Sequence, residues 1–71
     1  MNQASERMLI HLEYQYLPED VQAVVKPISE LAVMMAKDLD SNSPVVGAEV
    51  TAGLRKLLEA KDCFLRAKLH L

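Results

Sequence analysis

Apolar residues recur at helical spacing in two long segments, which a cluster of turn-forming residues separates. The first segment is preceded by Leu17-Pro18-Glu19-Asp20, typical of a helix start, because proline fits the first helical position and acids suit the helix dipole. It ends in Asp40-Ser41-Asn42-Ser43-Pro44, so the pattern predicts a helix over about residues 18–40. Its apolar positions step by three or four residues, at Val21, Val24, Ile28, Leu31, Met35 and Leu39.

Pro27 lies inside this first predicted helix. Proline removes one backbone hydrogen bond and clashes with the preceding turn, so we expect a kink there. Two shorter helices, over about 18–25 and 27–40, are the alternative interpretation. A single kinked helix is preferred because the apolar register continues unbroken through the proline.

The second segment predicts a helix over about residues 45–69 with apolar stripes at heptad spacing. Small residues at this spacing let a neighbouring helix approach closely. The face formed by two adjacent stripes is therefore expected to pack on the first helix and to close a helical hairpin. The two adjacent stripes are Val46, Gly53, Ala60 and Ala67, and Val50, Leu57, Phe64 and Leu71.

A further stripe, Leu54, Leu58, Leu65 and Leu69, is rotated well around the same helix. Together the stripes exceed the arc of somewhat more than about 100° that an ordinary surface helix buries. One partner helix cannot cover such an arc, which indicates a homo-oligomer. The preceding segment, around residues 5–12, is expected to form a short helix capped by Ser5 or an extended arm.

Composition narrows the class of protein. The chain of 71 residues is expected to form one domain over 1–71, whose core alone supplies only about 3–5 kcal/mol. A net charge of −2 disfavours long nucleic acids as partners. No apolar run approaches the roughly 18 residues that span a bilayer, and no secretory signal is recognisable, so a cytoplasmic location is expected. Cys63, His11 and His70 match no metal-ligand spacing, and no metal or other cofactor is expected.

The candidate chemistry is binding rather than catalysis, because no nucleophile lies beside a base. Tyr14 and Tyr16 offer flat faces for stacking on a base, or else they seal one end of the hairpin. Lys26 either contacts a ligand beside the kink or is solvated. Arg55 and Lys56 either contact a ligand or, in the case of Arg55, join a solvated ladder of salt bridges.

The second helix contains the run Leu54-Arg55-Lys56-Leu57-Leu58-Glu59-Ala60, and the first contains Val25-Lys26 and Ser29-Glu30-Leu31-Ala32. These runs resemble a phage helical-hairpin family that includes the anti-CBASS cyclic-nucleotide sponges and the related hairpin of anti-Thoeris sponges. The resemblance covers about residues 14–69. It implies non-enzymatic sequestration of cyclic di- or trinucleotide messengers by a compact homo-oligomer, typically a hexamer, with the ligand held between protomers.

The resemblance also implies site residues. The stacking tyrosine of the family corresponds to Tyr14 or Tyr16, and its basic contact on the first helix corresponds to Lys26. Polar and basic positions early in the second helix correspond to Thr51, Arg55 and Lys56.

Two hypotheses from different classes follow. The first is an oligomeric sponge for cyclic oligonucleotides, which counters CBASS-type antiphage immunity. The alternative is a helical adaptor or structural protein that binds another protein through its leucine-rich face. A discrete oligomer that forms without ligand would count against the adaptor.

Overall fold

The computed structural model describes residues 3–70, in which all regular secondary structure is helical. Helix α1 spans Gln3–Ile10, α2 spans Glu19–Asp38 and α3 spans Pro44–Leu69. The predicted all-α class is confirmed, and the bounds of the two long helices lie within two residues of those expected. Leu71, predicted to extend an apolar stripe, lies outside the described residues.

Helix α2 begins one residue later than predicted and continues through Pro27 as a single helix. Pro18 occupies the N-cap position, and its carbonyl oxygen accepts the first helical hydrogen bond from the Gln22 backbone N–H at 2.8 Å. The Gln22 side-chain amide donates to the carbonyl oxygens of Leu17 at 2.7 Å and Gln15 at 3.3 Å. One side chain therefore fixes the direction in which the preceding loop enters the helix.

Helix α3 has clear start and stop signals. The Ser43 hydroxyl oxygen accepts a hydrogen bond from the Val46 backbone N–H at 3.5 Å, and Pro44 is the first helical residue. The helix ends before His70, which adopts the left-handed conformation with φ 58°. With about 1.5 Å of rise per residue, its 26 residues account for the longest dimension of the molecule, 40 Å.

Helix α2 packs on α3, and residues of both helices line one groove. Helix α1 packs mainly on α3. The Ser5 and Thr51 hydroxyls are hydrogen-bonded at 3.1 Å, and the loop after α1 is held where the Lys61 ammonium donates to the His11 carbonyl oxygen at 3.3 Å. Between the helices lies a small core of Leu12, Ala32, Ala36 and Leu54.

Of the α3 face that is predicted to pack on the first helix, Val50 and Leu57 pack against the core, whereas Gly53 does not. Gly53 is exposed, and a Cβ atom built on it has no neighbouring atom within 4 Å. Instead α3 buries Gly47 and Leu54, which lie about 100° further around the helix. Leu54 belongs to the leucine-rich stripe, and burying a leucine removes more apolar surface from water than burying a glycine or an alanine.

Within residues 3–70, none of the three helices combines the length and the hydrophobicity needed to cross a bilayer.

Candidate functional site

Tyr14 lies in the loop between α1 and α2, and this loop is held at several points. Leu12 is fully buried in the core and anchors the start of the loop. The Tyr14 backbone N–H donates to the Gln15 side-chain oxygen at 3.2 Å, and the Tyr14 carbonyl oxygen accepts from the Leu17 N–H at 3.0 Å. The half-buried tyrosine is thus presented from an ordered turn.

An open groove with a volume of about 400 Å³ lies beside this tyrosine, and we call it the Tyr14 groove. Its volume falls in the range of about 300–1,000 Å³ typical of small-molecule sites. Parts of α1, the loop and α2 form its walls. The lining residues are Leu9, Ile10, Glu13, Tyr14, Gln15, Ser29, Glu30 and Val33.

The chemistry of the Tyr14 groove suits a planar heterocycle. Leu9 and Val33 supply apolar wall, and the Tyr14 ring supplies an aromatic face for stacking. Glu13 and Glu30 add two carboxylates, which when ionised only accept hydrogen bonds. The groove therefore favours a ring with N–H groups at its edge and disfavours an anion in its interior.

Lys26 is not among the residues that line the groove, but it is paired with Glu30, which is. Its ammonium lies 3.9 Å from a carboxylate oxygen of Glu30, and both side chains are more than half exposed. An exposed pair of this kind contributes only about 0–1 kcal/mol. The ammonium is therefore readily available to an anion that approaches from solvent.

The other predicted site residues lie outside the Tyr14 groove within one chain. Tyr16 is 74% exposed on the loop. Thr51 is occupied by its hydrogen bond to Ser5, whose side chain is buried, and so joins α1 to α3. Arg55 and Lys56 are exposed on α3, a helix that contributes no residue to the groove.

Of the predicted site residues, the structure thus places Tyr14 in the groove and pairs Lys26 with Glu30, which lines it. Glu13 and Glu30 line the groove but were missed as candidate site residues by the sequence reasoning. Helical spacing could have indicated Glu30, because a position four residues after Lys26 lies on the same side of a helix. Glu13 has no such signal, since its side chain reaches the groove only through the conformation of the loop.

A second, larger groove lies between α2 and α3, with a volume of about 550 Å³, and we call it the apolar groove. Glu49 is its single charged lining residue within the described part of the chain. At about 100° per residue, the α2 residues of the two grooves lie on opposite sides of that helix. The apolar groove is lined by Leu31, Met35, Leu39, Val45, Val46, Glu49, Val50, Gly53, Leu54 and Leu57.

Residues 3–70 contain no group of three or more His, Cys, Asp or Glu side chains arranged to hold a metal ion. The exposed Cys63 is paired with Arg66, whose guanidinium donates to the thiol sulfur at 3.3 Å.

No protein-family model, no curated protein and no solved structure matches this chain. The two grooves are therefore the features on which a functional proposal rests.

Proposed function

We propose that this protein is a homo-oligomeric helical hairpin that sequesters cyclic oligonucleotide messengers without converting them, with the ligand bound between chains. The observation that carries the proposal is the Tyr14 groove, which an aromatic residue, apolar residues and two carboxylate residues line together, one of which, Glu30, is paired with the Lys26 ammonium. A nucleotide presents the matching features: a flat base with N–H groups and a phosphate.

The base enters the groove and the phosphate stays outside it. Tyr14 stacks on the base, and the Glu13 and Glu30 carboxylates accept hydrogen bonds from its amino or ring N–H groups. The same carboxylates repel a phosphate, which therefore lies outside the groove beside Lys26. This orientation favours bases with N–H donors facing the carboxylates.

A second chain completes the site. One groove accommodates one base, whereas a cyclic dinucleotide has two bases and two phosphates in approximately two-fold symmetry. Two chains related by a two-fold axis present Tyr14 and Lys26 twice, which matches that symmetry. Because the groove is open on one side, a second chain also shields the bound ligand from water, and its exposed Arg55 is available as a further cation.

Sequestration needs affinity and abundance rather than chemistry. A protein that binds the free messenger lowers its concentration by mass action, so that the receptor proteins of the host remain unliganded. The resemblance of the helices to the anti-CBASS sponges supports bacterial antiphage immunity as the setting, with the messenger of that system as the ligand.

Titration calorimetry against a panel of cyclic di- and trinucleotides tests the proposal. At least one ligand should bind with micromolar or tighter affinity, and mass spectrometry should recover it unchanged. Tyr14→Ala and Lys26→Ala should each weaken that binding by about tenfold or more, because stacking and a phosphate contact are each worth more than about 1 kcal/mol. Tyr16→Ala is the matched control and should bind normally, because Tyr16 lies outside the groove.

Absence of binding to every ligand of the panel at tens of micromolar protein would refute the sponge. The exposed apolar groove would then favour the second candidate function, a helical adaptor that binds another protein through this face. The adaptor predicts a chain that sediments as a monomer, whereas the sponge predicts a discrete oligomer in the absence of ligand.

A further inference from the structure

One apolar face of α3 has the spacing of a coiled-coil seam and meets the core along one edge only, at Val50 and Leu57. Successive positions step by four and three residues, the pattern that keeps a seam facing a partner helix. Gly53 at its middle has no neighbour within 4 Å of a built Cβ, and Phe64 near its end is 58% exposed. We call this face the α3 seam; its described members are Val46, Val50, Gly53, Leu57, Ala60 and Phe64.

The apolar groove extends from this seam to α2. Leu31, Met35 and Leu39 form the wall on α2, so residues of the seam and of α2 line one apolar trough between the two helices. A third helix laid in such a trough contacts both walls, as in a four-helix bundle. The shape of the groove therefore fits a helix.

The charges beside the seam identify a second α3 as the matching helix. Glu49 lies four residues before Gly53 and Lys56 three residues after it. Both positions follow the flank of the seam that faces away from the core. When two α3 helices cross antiparallel near Gly53, Glu49 of each chain faces Lys56 of the other, which forms two reciprocal ion pairs.

Apolar residues also match at the two ends of this antiparallel pair. Phe64 lies 11 residues beyond Gly53, which is about 16 Å along the helix. In the antiparallel pair this distance brings it to the end of the groove of the other chain, where α2 joins α3. Leu39 and Val45 are exposed there, at 51% and 74%, and supply the apolar surface that Phe64 needs.

We infer that a second copy of this chain docks its α3 antiparallel into the apolar groove, with the two helices crossing at Gly53. This inference rests on the self-association proposed above and names the contact that makes it. It explains a glycine in the middle of a helix, where glycine is unfavourable relative to alanine and where the protomer itself has space for a side chain. It also assigns Lys56 to the contact between chains rather than to the ligand.

Replacing Gly53 by leucine separates this contact from the fold of the protomer. Gly53→Leu introduces a side chain where the helices approach most closely, and overpacking at both copies should raise the dissociation constant of the contact by about a hundredfold or more. Sedimentation velocity should show a smaller species, and circular dichroism should show undiminished helix content. Ala48→Leu, an equally exposed small-to-leucine change on the far side of α3, is the matched control and should assemble like the wild type.

Charge reversal tests the direction of packing. Glu49→Lys or Lys56→Glu alone should weaken assembly several-fold, because each places like charges opposite one another twice. The double variant should restore it, which neither a parallel pair nor another register predicts. Normal assembly of Gly53→Leu would overturn the contact while leaving the ligand site untouched, and a wild-type chain that sediments as a monomer would overturn the second copy as the occupant.

Discussion

At the scale of single residues, the structure gives Thr51 a role in packing the helices, which the resemblance does not imply. The resemblance assigns Thr51 to the ligand, yet its hydroxyl is hydrogen-bonded to that of Ser5, which is 1% exposed. This partly buried pair of hydroxyls joins two helices whose packing alone is limited by the short length of α1. Thr51 is thus first a structural residue of the protomer.

Ser5→Ala should destabilise the protein by about 1–2 kcal/mol, because it leaves the Thr51 hydroxyl without this partner. Thr51→Val should have a similar effect, and the double variant should cost less than the sum of the two. Urea unfolding at one fixed protein concentration measures all three, and Thr51→Ser, which keeps the hydroxyl, is the control. A Thr51→Val protein of normal stability but reduced ligand affinity would return this residue to the binding site.

Among the site residues, the sequence was most informative for those that lie on helices. The position of Lys26 on α2 follows from the apolar register, and the proximity of its side chain to Glu30 follows from helical spacing. Tyr14 and Glu13 belong to the loop, whose path depends on the buried Leu12 and on the Gln22 amide. Contacts between a loop and distant side chains have no periodic signal, so the groove itself was beyond sequence reasoning.

At the scale of elements, the existence and bounds of the two long helices were predictable because capping and periodicity agree. The face of α3 that packs on the core was not predictable. Three apolar stripes lie on that helix, and the sequence alone does not say which of their positions meet the core and which meet solvent. Leu54 of the leucine-rich stripe is buried while Leu69 of the same stripe is 47% exposed, so burial depends on the partner helices and not on the stripe alone.

Pro27 is unusual because it lies in the interior of the continuous helix α2, where its side chain is exposed. Pro27→Ala should raise the free energy of unfolding by about 1–3 kcal/mol, since it restores a backbone donor and removes a steric clash without loss of buried surface. Urea unfolding measures the change. Pro18→Ala is the matched control, because Pro18 lies at the N-cap, where no helical N–H is missing; a Pro27→Ala protein less stable than the wild type would contradict this account.

At the scale of the whole molecule, the two grooves lie on opposite sides of α2, so the proposed seam contact and the proposed ligand contact are different interfaces. Leu31 and Met35 face the apolar groove, whereas Ser29 and Val33 face the Tyr14 groove. Two different two-fold contacts on one chain alternate around a closed ring with an even number of members. A hexamer of three dimers is one such ring, which agrees with the assembly that the resemblance implies.

This arrangement predicts that the two contacts can be separated experimentally. Gly53→Leu removes the seam contact but leaves the Tyr14 groove intact, since Gly53 lines only the apolar groove. Adding the cyclic dinucleotide should therefore convert this variant from monomer to dimer with one ligand for every two chains, because the ligand binds the dimer more tightly than the monomer.

Sedimentation detected at the absorbance of the bases measures both quantities, because the chain has two tyrosines and no tryptophan to interfere. The double variant Gly53→Leu with Lys26→Ala is the control and should remain monomeric at the same ligand concentration. Binding of one ligand to each chain without a change in sedimentation would show that the Tyr14 groove holds the whole ligand by itself. The ring would then be built from contacts other than the ligand, and the messenger would have no part in holding it together.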